Sequence, residues 1–361
     1  MKNIEKDRLV GIYTTMKRIR AFEEKAVQLF EENRLRGSVH LYIGEEAIAA
    51  TVCSRLRKDD YITSTHRGHG HCIAKGGSLD RTLAELKGKE TGYCKGRGGS
   101  MHIADPATGN LGANAIVGAG VPIAVGAALS ARLRGSDQVA VAFFGDGASN
   151  QGVTHEAMNL ASVWKLGVIF VCENNGFGIS VPVVQSTSVQ DVSVRAGSYN
   201  MPGCTVDGND VFEIDAAFEK AERRARAGEG PSLIECKTYR WKGHWVGDPE
   251  TYRTREEVEA WKAKCPIKRL AAYITEHRIL TEKELRAIDA EVAAAIAAAE
   301  KFAEESPEPD PARVMDNVFY TGAASKPPVV STAAPNPRTD PPDTVASTAA
   351  PNPRSTAARR A

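Results

Sequence analysis

With 361 residues and a hydrophobic fraction of 42%, the chain suits one large α/β domain or two smaller ones and has an ordinary globular composition. Its 46 lysines and arginines nearly balance 45 aspartates and glutamates, which gives no charge argument for nucleic acid or another polyanion as partner. The seven cysteines contain no CxxC pair, which argues against a disulfide framework or a thiolate metal centre and fits a reducing cytoplasm.

The first residues, Met1-Lys2-Asn3-Ile4-Glu5-Lys6-Asp7, lack the apolar core of a signal peptide. Apolar residues three and four apart, Leu9, Ile12, Met16, Ile19, Phe22, Ala26 and Leu29, predict a helix over 4–34, stopped by Gly37. A second amphipathic helix is predicted over 44–56 and a short strand over 60–64. Between the two helices, His40-Leu41-Tyr42 belongs to a loop entering the second one.

The run Ser64-Thr65-His66-Arg67-Gly68-His69-Gly70-His71 reads as a loop that suits a phosphate site, a zinc site or a purely structural, solvated turn. Arg67 favours an anion, since guanidinium pairs with phosphate oxygens bidentately. Zinc would want a further ligand, and no cysteine pattern supplies one. A short helix over 79–87 is followed by a glycine-rich loop over 93–105, which is neither a dinucleotide fingerprint nor a P-loop. Residues 115–133 predict a helix with a small-residue face, for tight packing or a subunit interface. The uncharged stretch 113–131 has too many glycines and too few large apolar residues to favour lipid.

The centre of the chain is the stretch 138–175. An apolar run at 139–144 is followed by Gly145-Asp146-Gly147, a polar turn, a helical pattern through Ala157, Leu160, Ala161 and Trp164, and a second apolar run at 168–172 ending in Glu173-Asn174-Asn175. This reads as a βαβ unit, in which ligands sit outside the carboxyl ends of the strands. Asp146 and Asn174-Asn175 can then face one crevice. Their hard oxygen donors suit magnesium (Mg2+), which completes its shell with water and substrate phosphates. The glycines let backbone approach a phosphate, and the helix start offers free N–H groups. An ordinary βαβ turn with a capping aspartate is the competing reading for the first motif alone.

Further along, 201–206 predicts a strand, Asp210 with Glu213 a capping box for a helix to Arg226, and 232–239 another strand. His244 follows at the same sheet edge as Asp146, as a structural or a catalytic residue. Thr254 with Glu257 and Thr281 with Glu284 cap two more helices, the second reaching Glu305. Beyond Gly322 the composition shifts to Pro, Ala, Ser and Thr, and STAAPNPR occurs twice, at 331–338 and 347–354. Such a tail, 323–361, is expected to be disordered, leaving 1–322 as a single α/β domain with helical N-terminal (1–58) and C-terminal (254–306) parts.

GDG followed after 26 residues by NN closely resembles the thiamin diphosphate signature. From about residue 9 to 320 the chain resembles alpha subunits of the thiamin diphosphate-dependent first component of 2-oxo acid dehydrogenase complexes. His40-Leu41-Tyr42, Lys95-Gly96-Arg97-Gly98-Gly99-Ser100-Met101-His102, Ile116-Val117-Gly118 and Tyr252-Arg253-Thr254-Arg255 carry the match. Within that family it most resembles acetoin dehydrogenase alpha subunits, on the run at 64–71; pyruvate-specific relatives commonly have tyrosine where this chain has His66. The resemblance implies the thiamin diphosphate-binding fold, a mostly parallel sheet with helices on both faces and added N- and C-terminal helices.

It also implies the site. Asp146 and Asn175 would ligate magnesium by side chain and Phe177 by its carbonyl. Gly147 and Ala148 would present backbone to the diphosphate, and Arg67 and His244 would bind its oxygens. Ala115, where many relatives have glycine, and Val117 would lie by the aminopyrimidine, with Ile179 as the apolar wedge that bends the cofactor. His40 and His66 would face substrate, so that His40, His66 and His244 form the catalytic set. Trp245 stands where mitochondrial pyruvate relatives carry a phosphorylated serine, so that switch is expected to be missing. The glutamate that activates the cofactor comes from a beta subunit in this family.

The expected assembly is therefore two alpha and two beta chains, passing acetyl groups to the lipoyl domain of an acyltransferase component. The expected reaction is acetoin cleavage with acetyl transfer to lipoamide; the alternative is decarboxylation of pyruvate or a branched-chain 2-oxo acid. A self-sufficient thiamin enzyme and a non-catalytic phosphate-binding scaffold are the competing classes. Cytoplasmic location, with no membrane or nucleic-acid partner, completes the expectation.

Overall fold

The computed structural model describes residues 4–35, 37–316 and 318; the expected tail at 323–361 lies outside them. In chain order come α1 (Lys6–Glu31), α2 (Glu46–Cys53), β1 (Tyr61–Ser64), α3 (Gly68–Ala74), α4 (Leu79–Leu86), β2 (Asn110–Ala113) and α5 (Gly120–Leu133). They are followed by β3 (Ala140–Gly145), α6 (Gly152–Val163), β4 (Val168–Asn174), β5 (Phe177–Gly178), β6 (Val181–Pro182) and α7 (Val183–Ser186). The last elements are β7 (Gly203–Asp207), α8 (Val211–Arg226), β8 (Ser232–Lys237), α9 (Arg255–Lys262), α10 (Pro266–Glu276) and α11 (Glu282–Glu305).

Six strands form one sheet in the order β2-β1-β3-β4-β8-β7, and every described pairing in it is parallel. A parallel sheet needs cover on both faces, and the two central strands show it residue by residue. Val141, Phe143, Ile169 and Val171 join a core with α1, α2, α8 and α10. Their neighbours Ala142, Phe144, Phe170 and Cys172 join another with α5 and α6. Side chains alternate across a strand, so continuous apolar runs feed both layers at once. A third core unites α1, α4, α11 and the loop holding Leu41 and Tyr42. Among the described residues no helix is long and apolar enough to cross a membrane.

Several expectations need correction. The segment 64–71 is not a solvated loop: from Gly68 onward it is α3, with His69 and His71 fully buried. Glycine disfavours helix, but packing requires it here. A Cβ on Gly70 would lie 2.2 Å from Tyr42 Cδ1, and one on Gly68 would lie 2.6 Å from Ala113 Cβ. The second helix is not amphipathic, because every residue of α2 is buried between α1, α3 and α8. The helix expected over 115–133 begins only at Gly120, since Gly118 adopts φ +85°, a left-handed conformation outside any helix. Asp210 caps α8 by accepting from Phe212 and Glu213 N–H, but the Glu213 carboxylate takes Asp207 N–H. The Thr281–Glu284 capping box is complete, and Thr254 caps α9 as expected.

The glycine-rich loop at 93–105 has an internal anion. The buried Glu85 carboxylate accepts N–H groups from Cys94 at 2.7 Å, Gly96 at 3.0 Å, Gly98 at 2.7 Å and Gly99 at 3.0 Å. Gly96 and Gly99 have positive φ, so the nest of amides is built by glycine and filled by the protein itself.

Candidate active site

The site forms where four adjacent parallel strands end. Residues following β1, β3, β4 and β8 converge there, around a cavity of about 270 Å³. His66 and Arg67 come from the first, Asp146 and Gly147 from the second, Asn175 and Phe177 from the third, Arg240 and His244 from the fourth. Ala148, Val117 and Ile179 also line it. Two expected site residues do not. His40 stands behind His66 and His244, its ring centroid 4.9 Å from each and nearly perpendicular to both. Ala115 is only adjacent to the lining residues Asn114 and Ile116.

Asp146 is 2% exposed and its Oδ2 has no partner. Burial pushes its carboxyl up to about 6, opposed by backbone N–H groups at Asp146 itself, Asn175 and Gly147 and by the charge of Arg240. The next residues form one 3₁₀ turn, Gly147–Asn150, whose first N–H groups have no earlier carbonyl of that turn to bind. A Cβ on Gly147 would sit 3.3 Å from Gly178 Cα, so the turn and the β5–β6 hairpin approach closely. Asn175 gives its amide N–H to Glu45 Oε1 at 3.0 Å and accepts Phe177 N–H at 3.3 Å. Asn174 does not face the crevice. It is the last residue of β4 and donates to Glu235 on the neighbouring strand at 2.7 Å.

Arg67 and Arg240 dominate the electrostatics. They are 4% and 2% exposed, and among the described residues neither forms an ion pair with a carboxylate. Arg67 donates to the carbonyls of Leu41 at 2.9 Å and His244 at 2.7 Å. Arg240 donates to the carbonyls of Phe177 at 3.3 Å and Ile179, and to Tyr252 Oη at 2.9 Å, leaving its buried Nε unpartnered. Burying an unpaired charge is expensive. Two such cations with an unpartnered carboxylate oxygen therefore suit a ligand bringing both an anion and a divalent cation. A magnesium diphosphate group meets both demands, with Asp146 Oδ2 and the Asn175 and Phe177 oxygens as candidate ligands.

The three imidazoles are neutral at physiological pH. Burial, then the charge of Arg67, lowers His40 to about 3 and His244 to about 4 and holds His66 well below its usual range. His40 Nδ1 and His66 Nε2 are buried without partners. His69 and His71 point elsewhere, so the run at 64–71 does not gather its own histidines at one point. Burial also raises Glu45 to about 8, with Glu173 adding to the shift.

The apolar side of the cavity is open. Ile116, Val117 and Ile179 are 70%, 48% and 62% exposed. Ile179 adopts φ +57°, a left-handed conformation that a β-branched residue takes only under constraint. Sequence reading missed Arg240 and Glu45. Arg240 follows β8 as Asp146 follows β3, so the sheet-edge rule applied to His244 points to it as well; Glu45 gives no such signal.

The dehydrogenase E1 component family profile matches residues 14–312. The alpha subunit of acetoin:2,6-dichlorophenolindophenol oxidoreductase from Bacillus subtilis is 48% identical over 88% of this chain and 96% of its own length. The protein of that name from Cupriavidus necator is 45% identical, again over 88% and 96%. The pyruvate dehydrogenase E1 component alpha subunit of Porphyra purpurea is 40% identical over 88% of this chain and 94% of its own.

Proposed function

Since the chain belongs to the dehydrogenase E1 component family, whose members are thiamin diphosphate-dependent oxidoreductases, we propose that it is the alpha subunit of an acetoin dehydrogenase. It cleaves acetoin and passes the acetyl group to lipoamide of an acyltransferase component, in the cytoplasm. The substrate assignment is supported by the two acetoin-named relatives, each more similar to the chain than the Porphyra protein. The observation that carries the cofactor reading is the pair of buried, unpaired guanidinium groups facing an unpartnered Asp146 oxygen across one cavity.

In this reading Asp146, Asn175 and the Phe177 carbonyl hold Mg2+, and Gly147, Ala148, Arg67 and His244 hold the diphosphate together with Arg240. The cofactor, when bound, supplies a thiazolium carbon that adds to a carbonyl and a ring that accepts electrons. Ile179 and Val117 shape its apolar surroundings, with Ala115 beside the lining residues Asn114 and Ile116. His66 and His244 stand where a substrate oxygen gains charge. Being neutral, they can donate or accept a hydrogen bond there without adding a full charge, and His40 braces both rings. The exposed Ile116, Val117 and Ile179 suit burial against a beta subunit, in an assembly of two alpha and two beta chains that also engages a lipoyl domain.

Co-expression with its beta subunit and assay on acetoin against pyruvate tests the substrate. Acetoin turnover exceeding pyruvate turnover supports the reading; the reverse makes it a pyruvate dehydrogenase alpha subunit.

A further inference from the structure

Two histidines of the run at 64–71 take no part in the cavity. His71 is engaged by Ser64 Oγ at 2.8 Å and Glu173 Oε1 at 3.1 Å. His69 has partners that lead back to the site. Its Nδ1 lies 2.9 Å from Glu23 Oε2 and its Nε2 lies 2.9 Å from Ser100 Oγ. Ser100 Oγ accepts the N–H of His40 at 3.2 Å, and Glu23 Oε1 accepts the N–H of Tyr42 at 3.1 Å.

A carboxylate can only accept, so one placement of hydrogens satisfies the whole set. His69 carries its proton on Nδ1 and gives it to Glu23. The bare Nε2 accepts the Ser100 hydroxyl, whose free lone pair takes His40 N–H. Ser, His and Glu in this order resemble a nucleophile, its base and an orienting acid. Their burial argues against that role: Glu23 and His69 are 0% exposed, Ser100 is 9% exposed, and none of them lines the cavity. The relay acts on backbone instead. His40 N–H is held by Ser100, the Leu41 carbonyl by Arg67 and Tyr42 N–H by Glu23, three consecutive residues each fixed by a different segment.

We propose that Ser100, His69 and Glu23 are positioning residues that fix the His40 backbone, and through it the stance of His40 against His66 and His244. The inference rests on the reading that this histidine cluster serves the substrate. Losing the Ser100 hydroxyl strands two buried groups, His40 N–H and His69 Nε2, and buried polar groups left unpaired drive local rearrangement. A displacement of about 1 Å at a reacting group lowers rate by as much as roughly a hundredfold.

The test uses the alpha chain assembled with its beta subunit, as wild type, S100A, S100T, E23Q and H40A. It measures kcat and KM for acetoin, thiamin diphosphate affinity by calorimetry with magnesium, and the thermal midpoint. The expected result for S100A is a fall of roughly tenfold in kcat and in kcat/KM together, with cofactor affinity kept, a thermal midpoint lowered by the two unpaired groups, and recovery of both in S100T. E23Q offers His69 an amide N–H in place of an acceptor, which reverses the relay, but Ser100 Oγ can still accept His40 N–H through its second lone pair, so a smaller fall than in S100A is expected. Wild-type kinetics in S100A beside an impaired H40A overturn the proposal. So does a loss of cofactor affinity in step with rate. A silent H40A removes the substrate reading itself, and this inference with it.

Discussion

Arg67 donates through Nη2 to the carbonyl oxygen of His244 at 2.7 Å, and the same nitrogen faces His244 Nδ1 at 3.3 Å. This contact joins the segment after β1 to the segment after β8, across the two strands that carry Asp146 and Asn175. It uses the guanidinium as a clamp on neutral backbone, and among the described residues no carboxylate forms an ion pair with it. The same holds for Arg240, which clamps the hairpin carbonyls of Phe177 and Ile179.

Arg67→Met and Arg240→Met are therefore expected to weaken thiamin diphosphate binding by roughly 10- to 100-fold each, the range for one hydrogen-bonded charge. Calorimetric titration of the assembled enzyme with the cofactor and magnesium measures this. Unchanged affinity in both variants removes the anion reading of the cavity.

Asp146→Asn separates stability from binding. Burial raises the Asp146 carboxyl from 3.8 to about 6, so the ligand-free site loses stability as pH rises from about 4 to 6 and carries the whole deficit at pH 8. That deficit is on the order of 2–3 kcal/mol. The amide is expected to raise the thermal midpoint without ligands at pH 8, while abolishing the further rise that magnesium and cofactor produce. A lower ligand-free midpoint contradicts the account of the unpartnered oxygen.

Ile179→Gly tests the strained residue. Relief of a left-handed β-branched conformation is worth about 1–2 kcal/mol, offset by about 0.5–1 kcal/mol for the freer glycine chain. Stability in urea is expected to hold or rise slightly, and kcat to fall by roughly tenfold as the wedge is lost. Full activity in the variant leaves Ile179 without a role.

How far the site could be read in advance depended on how local its determinants are. Asp146 and Asn175 each follow a long apolar run, so strand ends and crevice come straight from a pattern of apolar residues and glycine. The α3 helix was illegible because Gly68 and Gly70 read as loop, whereas their need arises from Ala113 and Tyr42, distant in the chain. The β2 strand has four residues, only one of them large and apolar, too few to show alternation. Asn174 and Asn175 read as one motif in the sequence, though adjacent strand residues face opposite sides and Asn174 turns to Glu235. The structural role of His69 gave no signal, because its partner Glu23 lies in a helix whose apolar stripe hides one buried acid.

The imidazoles give a pH signature. His40 and His244 are lowered from 6.5 to about 3 and about 4, by burial first and Arg67 second. Their contribution to stability is present above about pH 6.5 and is lost as pH falls towards those values, because the unfolded chain binds the protons first. Asp146 and Glu45, both raised, act with the opposite sign, so the comparison must be made by difference. The stability of wild type minus that of His244→Asn, from urea unfolding, is expected to be flat above pH 6.5 and to shrink on acidification to pH 4. A difference that grows on acidification contradicts a neutral His244.

Asp146 and Asn175 are expected to hold a divalent ion that anchors the diphosphate between Arg67 and Arg240. Calorimetric titration of the assembled enzyme with thiamin diphosphate, with magnesium and with magnesium chelated, tests it most directly. Binding is expected to depend on magnesium in the wild type and to show no magnesium effect in Asp146→Ala. Equal magnesium-dependent binding by the two proteins contradicts it.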